Sequence, residues 1–189
     1  DGGNTWVRAM PPRFTDNRFF VFTQDGSKFY FGDDAGIYST DEPTGSFAMT
    51  NLNRTLSLVL YYPGLSIHLT NPGITFGGAQ DLGISHYTGA ATWDWVYNCD
   101  GGSTAIDFNT PTTVYATCQS SAASVIIKST SSGTSGTWAS AQNGVNSSDR
   151  PIFIPPLTMD PSDSQRLYFG ATRVYQTNDG AGAWQPISP

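Results

Sequence analysis

Thr177-Asn178-Asp179-Gly180-Ala181-Gly182-Ala183-Trp184 has the composition of a tight turn that leads into a β-strand. The Asp179 carboxylate is placed to accept backbone N–H groups of the turn, and the glycines supply positive φ angles. Trp184 then begins the next strand and buries a large flat side chain. A similar segment, Asp1-Gly2-Gly3-Asn4-Thr5-Trp6, opens the chain, and again an Asp precedes a Trp by five positions. The two copies predict a repeated structural unit.

Aromatic residues recur between the two copies at Phe47, Trp93 and Trp138. The spacings from Trp6 to Trp184 are then 41, 46, 45 and 46 residues. A period in the forties is typical of propeller blades, and each period contains four short strand patterns separated by turn residues. We therefore predict an all-β protein, a β-propeller portion that forms one domain over 1–189. Its repeats lie at approximately 1–50, 51–97, 98–142 and 143–189.

The tryptophans of the later repeats are expected to pack between blades. Trp93, Trp138 and Trp184 should each begin an outer strand. Trp95 lies two positions after Trp93, so it should share the face of Trp93 and be buried. The alternative for Trp95 is a surface on which a sugar ring stacks.

The composition argues against several classes of partner. Nine basic and fifteen acidic residues give a net charge of −6, which disfavours nucleic acid and anionic membranes. No apolar run is long enough to span a bilayer, and no signal peptide pattern is present. Charged residues make up only 13% of the chain, which favours a turn-rich exported protein. The chain opens inside a repeat, so we expect a fragment of a longer protein.

The two cysteines, Cys99 and Cys118, are predicted to form a disulfide. They flank a hairpin with its turn at Asn109–Thr112, which places them nearly opposite each other, within the Cα separation that a disulfide requires. The alternative is a pair of buried free thiols. A disulfide implies an oxidising compartment, so we expect a secreted, cell-surface or periplasmic protein. The cysteines and the isolated His68 and His86 show no ligand spacing, so neither a metal site nor a cofactor is predicted.

The turn segments resemble the Asp-box, also called the bacterial neuraminidase repeat, with the pattern Ser/Thr-x-Asp-x-Gly-x-Thr-Trp. The segment Gly77-Gly78-Ala79-Gln80-Asp81, followed by Trp93-x-Trp95 and Asp100-Gly101-Gly102, resembles the subgroup of xyloglucanase-type glycoside hydrolases and sortilin-like domains. This resemblance implies a ring of six to ten blades, of which four repeats would supply about half. The rest of the ring or another chain is therefore an expected partner. It also implies structural roles for Asp1, Trp6, Asp179 and Trp184.

In a propeller, the loops between the second and third strands and the loops between blades meet on one face. The sequence places carboxylates, amides and arginines there, a mixture that suits sugar hydroxyls or a peptide better than phosphate. Asp81 and Asp100 sit beside glycines, so the alternative is that they only accept N–H groups of turns. The predicted binding residues are Asp33, Asp34, Gln80, Asp100, Gln119, Arg150 and Arg173.

Three functions remain open from the sequence. The first is an extracellular binding or scaffold module for a glycan or a protein. The second is part of a glycoside hydrolase, because Asp81 occupies a place similar to the catalytic Asp of the Gly-Asp-x-Gly-Gly loop of xyloglucanases. Gln80 replaces a glycine of that pattern, and the second carboxylate that such enzymes need has no clear match. The third is a structural subunit of an extracellular assembly.

Overall fold

The computed structural model describes residues 4–5, 17–33, 36–41, 48–55 and 59–189. Asp1, Trp6, Asp34 and Phe47 lie outside the described residues, so the roles expected for them stay predictions. The chain forms two compact units, 1–58 and 59–189. A single turn of 3-10 helix at Asn53–Thr55 is the helical element of the described residues, and no described helix is long and apolar enough to cross a membrane.

The structure is all-β, as predicted, and its strands form four sheets of four antiparallel strands. In each sheet, consecutive strands are neighbours, so the chain meanders up and down. Sheet I contains β1 (Phe19–Phe22), β2 (Phe29–Asp33), β3 (Gly36–Thr40) and β4 (Thr50–Asn51). Sheet II contains β5 (Ser66–Ile67), β6 (Thr75–Ala79), β7 (Gly83–Tyr87) and β8 (Trp93–Tyr97).

Sheets III and IV repeat the same arrangement. Sheet III contains β9 (Gly101–Ile106), β10 (Val114–Cys118), β11 (Ile126–Ser129) and β12 (Ala139–Ser140). Sheet IV contains β13 (Leu157–Asp160), β14 (Asp163–Gly170), β15 (Val174–Thr177) and β16 (Gln185–Pro186). Trp93 begins β8, while Trp138 and Trp184 immediately precede β12 and β16. The tryptophan spacing therefore identified the outer strands to within one residue.

Sheet III is buried on both faces, and its second strand shows why. Along β10, successive side chains point to opposite faces. Tyr115 packs into one apolar cluster with Phe169 and Trp184 of sheet IV. Its neighbour Val114 packs into a second cluster with Phe76 of sheet II. Sheets II, III and IV are thus stacked face to face by alternating residues of a single strand.

Glycines allow sheets II and III to approach closely. A Cβ on Gly78 would collide with the carbonyl oxygen of Gly102, and one on Gly101 would collide with the carbonyl oxygen of Gly83. Gly78 and Gly101 are therefore needed for the close approach of the backbones of sheets II and III.

The expectation that Trp95 is buried was wrong, because its side chain is 59% exposed. Tyr97 pairs with Ile84 and Trp95 pairs with Ser85, so Val96 has no residue opposite it and forms a bulge. The bulge places Val96 in the apolar cluster with Phe76. Trp95 remains on the edge strand of the sheet.

Candidate functional site

The loop after β6 carries Asp81, the residue proposed as catalytic. Asp81 is exposed and has a φ of 61°, an angle that non-glycine residues rarely adopt. Its backbone N–H donates to Asp100 Oδ1 at 2.8 Å. Gly83 follows with a φ of 73°, and a Cβ there would collide with the carbonyl oxygen of Tyr97. The loop is therefore held in a defined conformation in which Asp81 is an exposed residue.

Three of the other predicted binding residues lie around this loop. Gln80 Oε1 accepts a hydrogen bond from the Tyr62 hydroxyl at 2.6 Å. The Asp100 N–H donates to Gln119 Oε1 at 3.0 Å, and the Gln119 N–H donates back to the Asp100 carbonyl at 3.0 Å. Gln80, Asp81, Asp100 and Gln119, which we call the Asp81 cluster, thus form a connected group. Asp100 accepts the backbone N–H of Asp81 and so supports the loop. This is the alternative role that the sequence offered for Asp100, an acceptor for N–H groups of a turn.

The predicted disulfide anchors this cluster and is confirmed. Cys99 and Cys118 are bonded, with their Cα atoms 5.7 Å apart. Cys99 immediately precedes Asp100, and Cys118 immediately precedes Gln119. The Cys118 side chain is fully buried in the cluster that contains Phe76. The covalent bridge therefore fixes the two backbone segments from which Asp100 and Gln119 project.

A second group of polar residues surrounds Asp149, in the segment that connects sheets III and IV. Arg173 Nε donates to Asp149 Oδ2 at 2.7 Å, and the Tyr175 hydroxyl donates to the same oxygen. These hydrogen bonds, first from Tyr175 and then from Arg173, lower the pKa of Asp149 below its ordinary value. The same contact with Asp149 raises the pKa of Arg173. Arg173, a predicted binding residue, thus forms an ion pair with Asp149.

Next to Asp149 lies a cleft of about 470 Å³ between the β10–β11 loop and the segment that follows β12. This volume is within the range of small-ligand sites. Its floor is apolar and its rim carries hydroxyl, amide and guanidinium groups. The cleft is lined by Ser120, Ser121, Ala122, Val125, Ile126, Gln142, Val145, Asn146, Ser147, Asp149, Arg150, Pro151 and Phe169.

Of the predicted binding residues, Arg150 is the one that lines the cleft. Its N–H donates to Thr172 Oγ1 at 3.1 Å, and the Thr172 hydroxyl donates to the Arg150 carbonyl at 3.2 Å. The Asp81 cluster adjoins the cleft along the chain, because Ser120, which follows Gln119, lines the cleft. The Ser120 N–H donates to the Phe153 carbonyl at 2.8 Å. Asp33 ends β2, where it pairs with Gly36, and belongs to the unit formed by 1–58.

The residues expected to be structural in the last repeat hold its turn together. Asp179 Oδ1 accepts hydrogen bonds from the Thr177 hydroxyl at 2.7 Å, the Gly182 N–H at 2.9 Å and the Ala183 N–H at 3.0 Å. These bonds lower the pKa of Asp179, with the bond from Thr177 as the largest cause. Trp184 is 2% exposed, and its indole N–H donates to the Ala141 carbonyl of the neighbouring repeat at 2.7 Å.

Sequence reasoning missed most of the cleft. Asn146, Ser147, Ser120 and Ser121 are small polar residues of loops, and residues of this type are common in any turn. Tyr175 was interpreted only as a strand residue, yet its hydroxyl reaches out of the core to Asp149. The one available signal was the pair Asp149-Arg150, two charges next to each other in a chain that has few.

Comparison with known proteins finds similarity at the level of structure. No protein-family model matches the sequence, and no curated protein matches it. The chain is similar to a GH74 enzyme from Niastella koreensis, with a TM-score of 0.55 and 19% identity over 92% of this chain and 30% of the enzyme. It is also similar to an ancestral GH74 enzyme, with a TM-score of 0.56 and 17% identity over 99% of this chain and 26% of the enzyme.

A more distant neighbour is YCF48 bound to D1 peptide, with a TM-score of 0.45 and 13% identity over 99% of this chain and 59% of that protein. The chain spans less than a third of the length of either GH74 enzyme. At these identities the likeness to the GH74 enzymes concerns the fold. Together with the four meander sheets of four antiparallel strands, it shows that this chain has the β-propeller fold.

Proposed function

We propose that this chain belongs to an extracellular β-propeller of the Asp-box type that binds a glycan in the cleft next to Asp149. The observation that carries the proposal is the composition of the cleft. Its floor contains Val125, Val145 and Phe169, while Ser120 and Asn146 lie on its rim. An apolar surface bordered by hydroxyl and amide groups matches a sugar ring, which has apolar C–H faces and polar edges.

Two further observations support the family and the compartment. The Asp179 carboxylate holds its turn through Thr177, Gly182 and Ala183, which are positions 1, 6 and 7 of the Asp-box pattern when Asp179 is position 3. The Cys99–Cys118 disulfide is of the kind that persists in oxidising compartments. The rest of the ring, or another chain, remains the expected partner.

The proposal is tested by isothermal titration calorimetry with a panel of oligosaccharides that includes cellotetraose, mannotetraose and tri-galacturonic acid. At least one member should bind. Ser147→Trp places a large side chain on the rim of the cleft and should abolish that binding. Ser148→Trp is the matched control, because Ser148 is exposed but does not line the cleft. Absence of binding across the panel, or equal binding by both variants, would contradict the proposal.

A second candidate function, cleavage of a glycosidic bond, rests on Asp81. Asp81 is an exposed residue whose backbone, with a φ of 61°, is held by a hydrogen bond to Asp100. Unusual backbone angles of this kind cluster at functional sites. Glycoside hydrolases need two carboxylates. Asp100 supports the loop, so the second carboxylate would come from another segment of the ring.

This candidate is tested by measuring the release of reducing ends from a β-glucan. Hydrolysis by the complete ring that is lost in Asp81→Asn, while the melting temperature is unchanged, would establish the enzymatic function. A ring that binds the β-glucan without cleaving it would contradict the enzymatic function and support only the binding function.

A further inference from the structure

The cleft next to Asp149 contains a cation whose charge is not used within the protein. Arg150 is exposed and lines the cleft, and its guanidinium forms no ion pair or hydrogen bond with any residue that the structure describes. Arg166 and Arg173, in contrast, form ion pairs with aspartates. The guanidinium of Arg150 is therefore able to interact with a ligand in the cleft, although the chain as a whole has a net charge of −6.

The backbone that carries Arg150 is fixed from both sides. Thr172 holds its N–H and its carbonyl. The preceding residue, Asp149, is bound by Arg173 and Tyr175, and its own N–H donates to the Asn146 carbonyl at 3.0 Å. Because these contacts fix the backbone, binding a ligand requires ordering of the Arg150 side chain alone, which reduces the entropic cost of binding.

The local charge of the cleft is positive. The Asp149 carboxylate is neutralised by the guanidinium of Arg173, which does not line the cleft and donates to Oδ2 at 2.7 Å. Of the charged residues that line the cleft, this leaves Arg150 to interact with a ligand. The planar guanidinium forms two parallel hydrogen bonds to a carboxylate, a geometry that a neutral sugar does not offer.

We propose that the cleft selects a carboxylated sugar, a hexuronic acid residue of an acidic polysaccharide, with Arg150 as the residue that binds its carboxylate. This inference rests on the proposed glycan-binding function and adds the chemical class of the ligand. The hydroxyls of Ser120, Ser121 and Ser147 lie along the cleft for the sugar hydroxyls. The side-chain NH2 of Asn146 can also donate there, while its Oδ1 accepts the Ser148 N–H at 2.9 Å. This density of small polar groups favours a sugar over an acidic peptide, whose backbone would present fewer hydroxyl partners.

The experiment compares three probes by calorimetry: tri-galacturonic acid, its fully methyl-esterified form and a tri-glutamate peptide. The acid and its ester share a sugar skeleton and differ in charge. The wild-type protein should bind the acid about tenfold or more tightly than the ester, which is the scale of one charged hydrogen-bond pair. That preference should shrink as salt is raised, because salt screens an exposed charge pair.

Arg150→Gln should abolish the preference for the acid, so that the acid and the ester bind with equal affinity. Arg150→Lys keeps the charge but loses the two parallel bonds, so it should retain only part of the preference. Arg166→Gln changes the net charge by the same amount but does not line the cleft, so it should behave as wild type. Melting temperatures of all variants show whether each one folds.

Each outcome decides between the two proposals. Equal binding of the acid and the ester, unaffected by Arg150→Gln, would overturn the uronate inference and leave glycan binding intact. Binding of neither sugar, together with no binding of neutral oligosaccharides, would overturn both. Arg150-dependent binding of tri-glutamate as tight as that of the acid would show that the cleft recognises a peptide, which also overturns the inference.

Discussion

A single carboxylate holds the turn of the last repeat. Asp179 is exposed, but its Oδ1 atom accepts hydrogen bonds from Thr177, Gly182 and Ala183. The turn also contains Ala181 with a φ of 64°, an angle that costs an alanine energy. The turn therefore contains a strained residue, and the bonds to Asp179 help to stabilise it.

We predict that Asp179→Ala lowers the free energy of unfolding by about 1–3 kcal/mol, because three donors lose a charged acceptor. Asp179→Asn is the matched control, since its amide oxygen still accepts hydrogen bonds, and it should cost less. Urea denaturation at pH 7 measures both values. Equal costs for the two variants would show that the hydrogen bonds do not stabilise the turn.

The same residue predicts a dependence on pH. The pKa of Asp179 is lower in the folded protein than its ordinary value of 3.8, so the folded state binds the proton less well than the unfolded state does. Its stabilising contribution is then fully present above about pH 4 and is lost as the pH falls through the folded pKa. The stability difference between wild type and Asp179→Asn should narrow in this acidic range. A difference that stays constant down to pH 2 would contradict this assignment.

Residue-scale features differ in how well the sequence predicts them. The pairing of Cys99 with Cys118 follows from counting along one hairpin, which is a local relationship. The ion pair of Asp149 with Arg173 joins residues 24 positions apart, and no pattern in the sequence specifies which partner each charge finds. The prediction that Trp95 is buried was wrong for a similar reason. It assumed that side chains alternate strictly between the two faces of β8, and the bulge at Val96 breaks this alternation.

At the scale of elements, the contact between β6 and β9 depends on the absence of side chains. Gly78 lies against the backbone of Gly101 and Gly102, so the two sheets meet more closely than ordinary residues would permit. The glycines were recognised in the sequence as part of a family-like motif. Their physical role, the close packing of backbones, became evident only when the sheets were placed together.

We predict that Gly78→Ala destabilises the unit 59–189 by about 3 kcal/mol or more, because the added Cβ meets backbone atoms that cannot move aside. Gly73→Ala is the control, since its Cβ would approach the Asn71 side chain at 3.0 Å and would meet the Gly89 backbone only at 3.9 Å, an ordinary contact distance. Thermal unfolding followed by circular dichroism compares the two. A melting temperature for Gly78→Ala equal to that of the control would refute the close packing of these sheets.

The disulfide connects Cys99, two residues before β9, to Cys118, the last residue of β10. It closes a segment with a sequence separation of 19 residues, for which chain entropy predicts a stabilisation of about 3 kcal/mol. The double variant Cys99→Ser, Cys118→Ala should therefore unfold at a lower urea concentration than the oxidised wild type. Its amide hydrogens near Asp100 and Gln119 should also exchange faster. Unchanged exchange rates at Asp100 and Gln119 would contradict the claim that the disulfide fixes the backbone of the Asp81 cluster.

At the scale of the whole molecule, the architecture was predictable because it is periodic. Turn residues and aromatic residues recurred about every 45 positions, and the structure shows four meander sheets. The number of blades in the complete ring and the single domain over 1–189 stay predictions. So does the role of structural subunit in an assembly, which sizing by light scattering would support if the chain formed defined multimers.

The cleft could not be predicted from the sequence repeat, because most of its lining residues lie in loops that do not share the repeated pattern. The β10–β11 loop and the segment after β12 meet beside Asp149, and each contributes a few polar side chains with no spacing in common. Such a site depends on how neighbouring sheets are placed, which a single sequence does not encode in a readable pattern. The residue types were recognised, but their grouping was not.

The most direct test of glycan binding in the cleft is a titration of the ¹⁵N-labelled protein with tri-galacturonic acid and, separately, with cellotetraose, followed by amide chemical shifts. We predict that at least one sugar shifts the amides of 120–122 and 145–150, while those of 81–82 remain unchanged. Shifts confined to 81–82 would place the sugar at the Asp81 cluster instead. No shifts with either sugar at millimolar concentration would contradict the account.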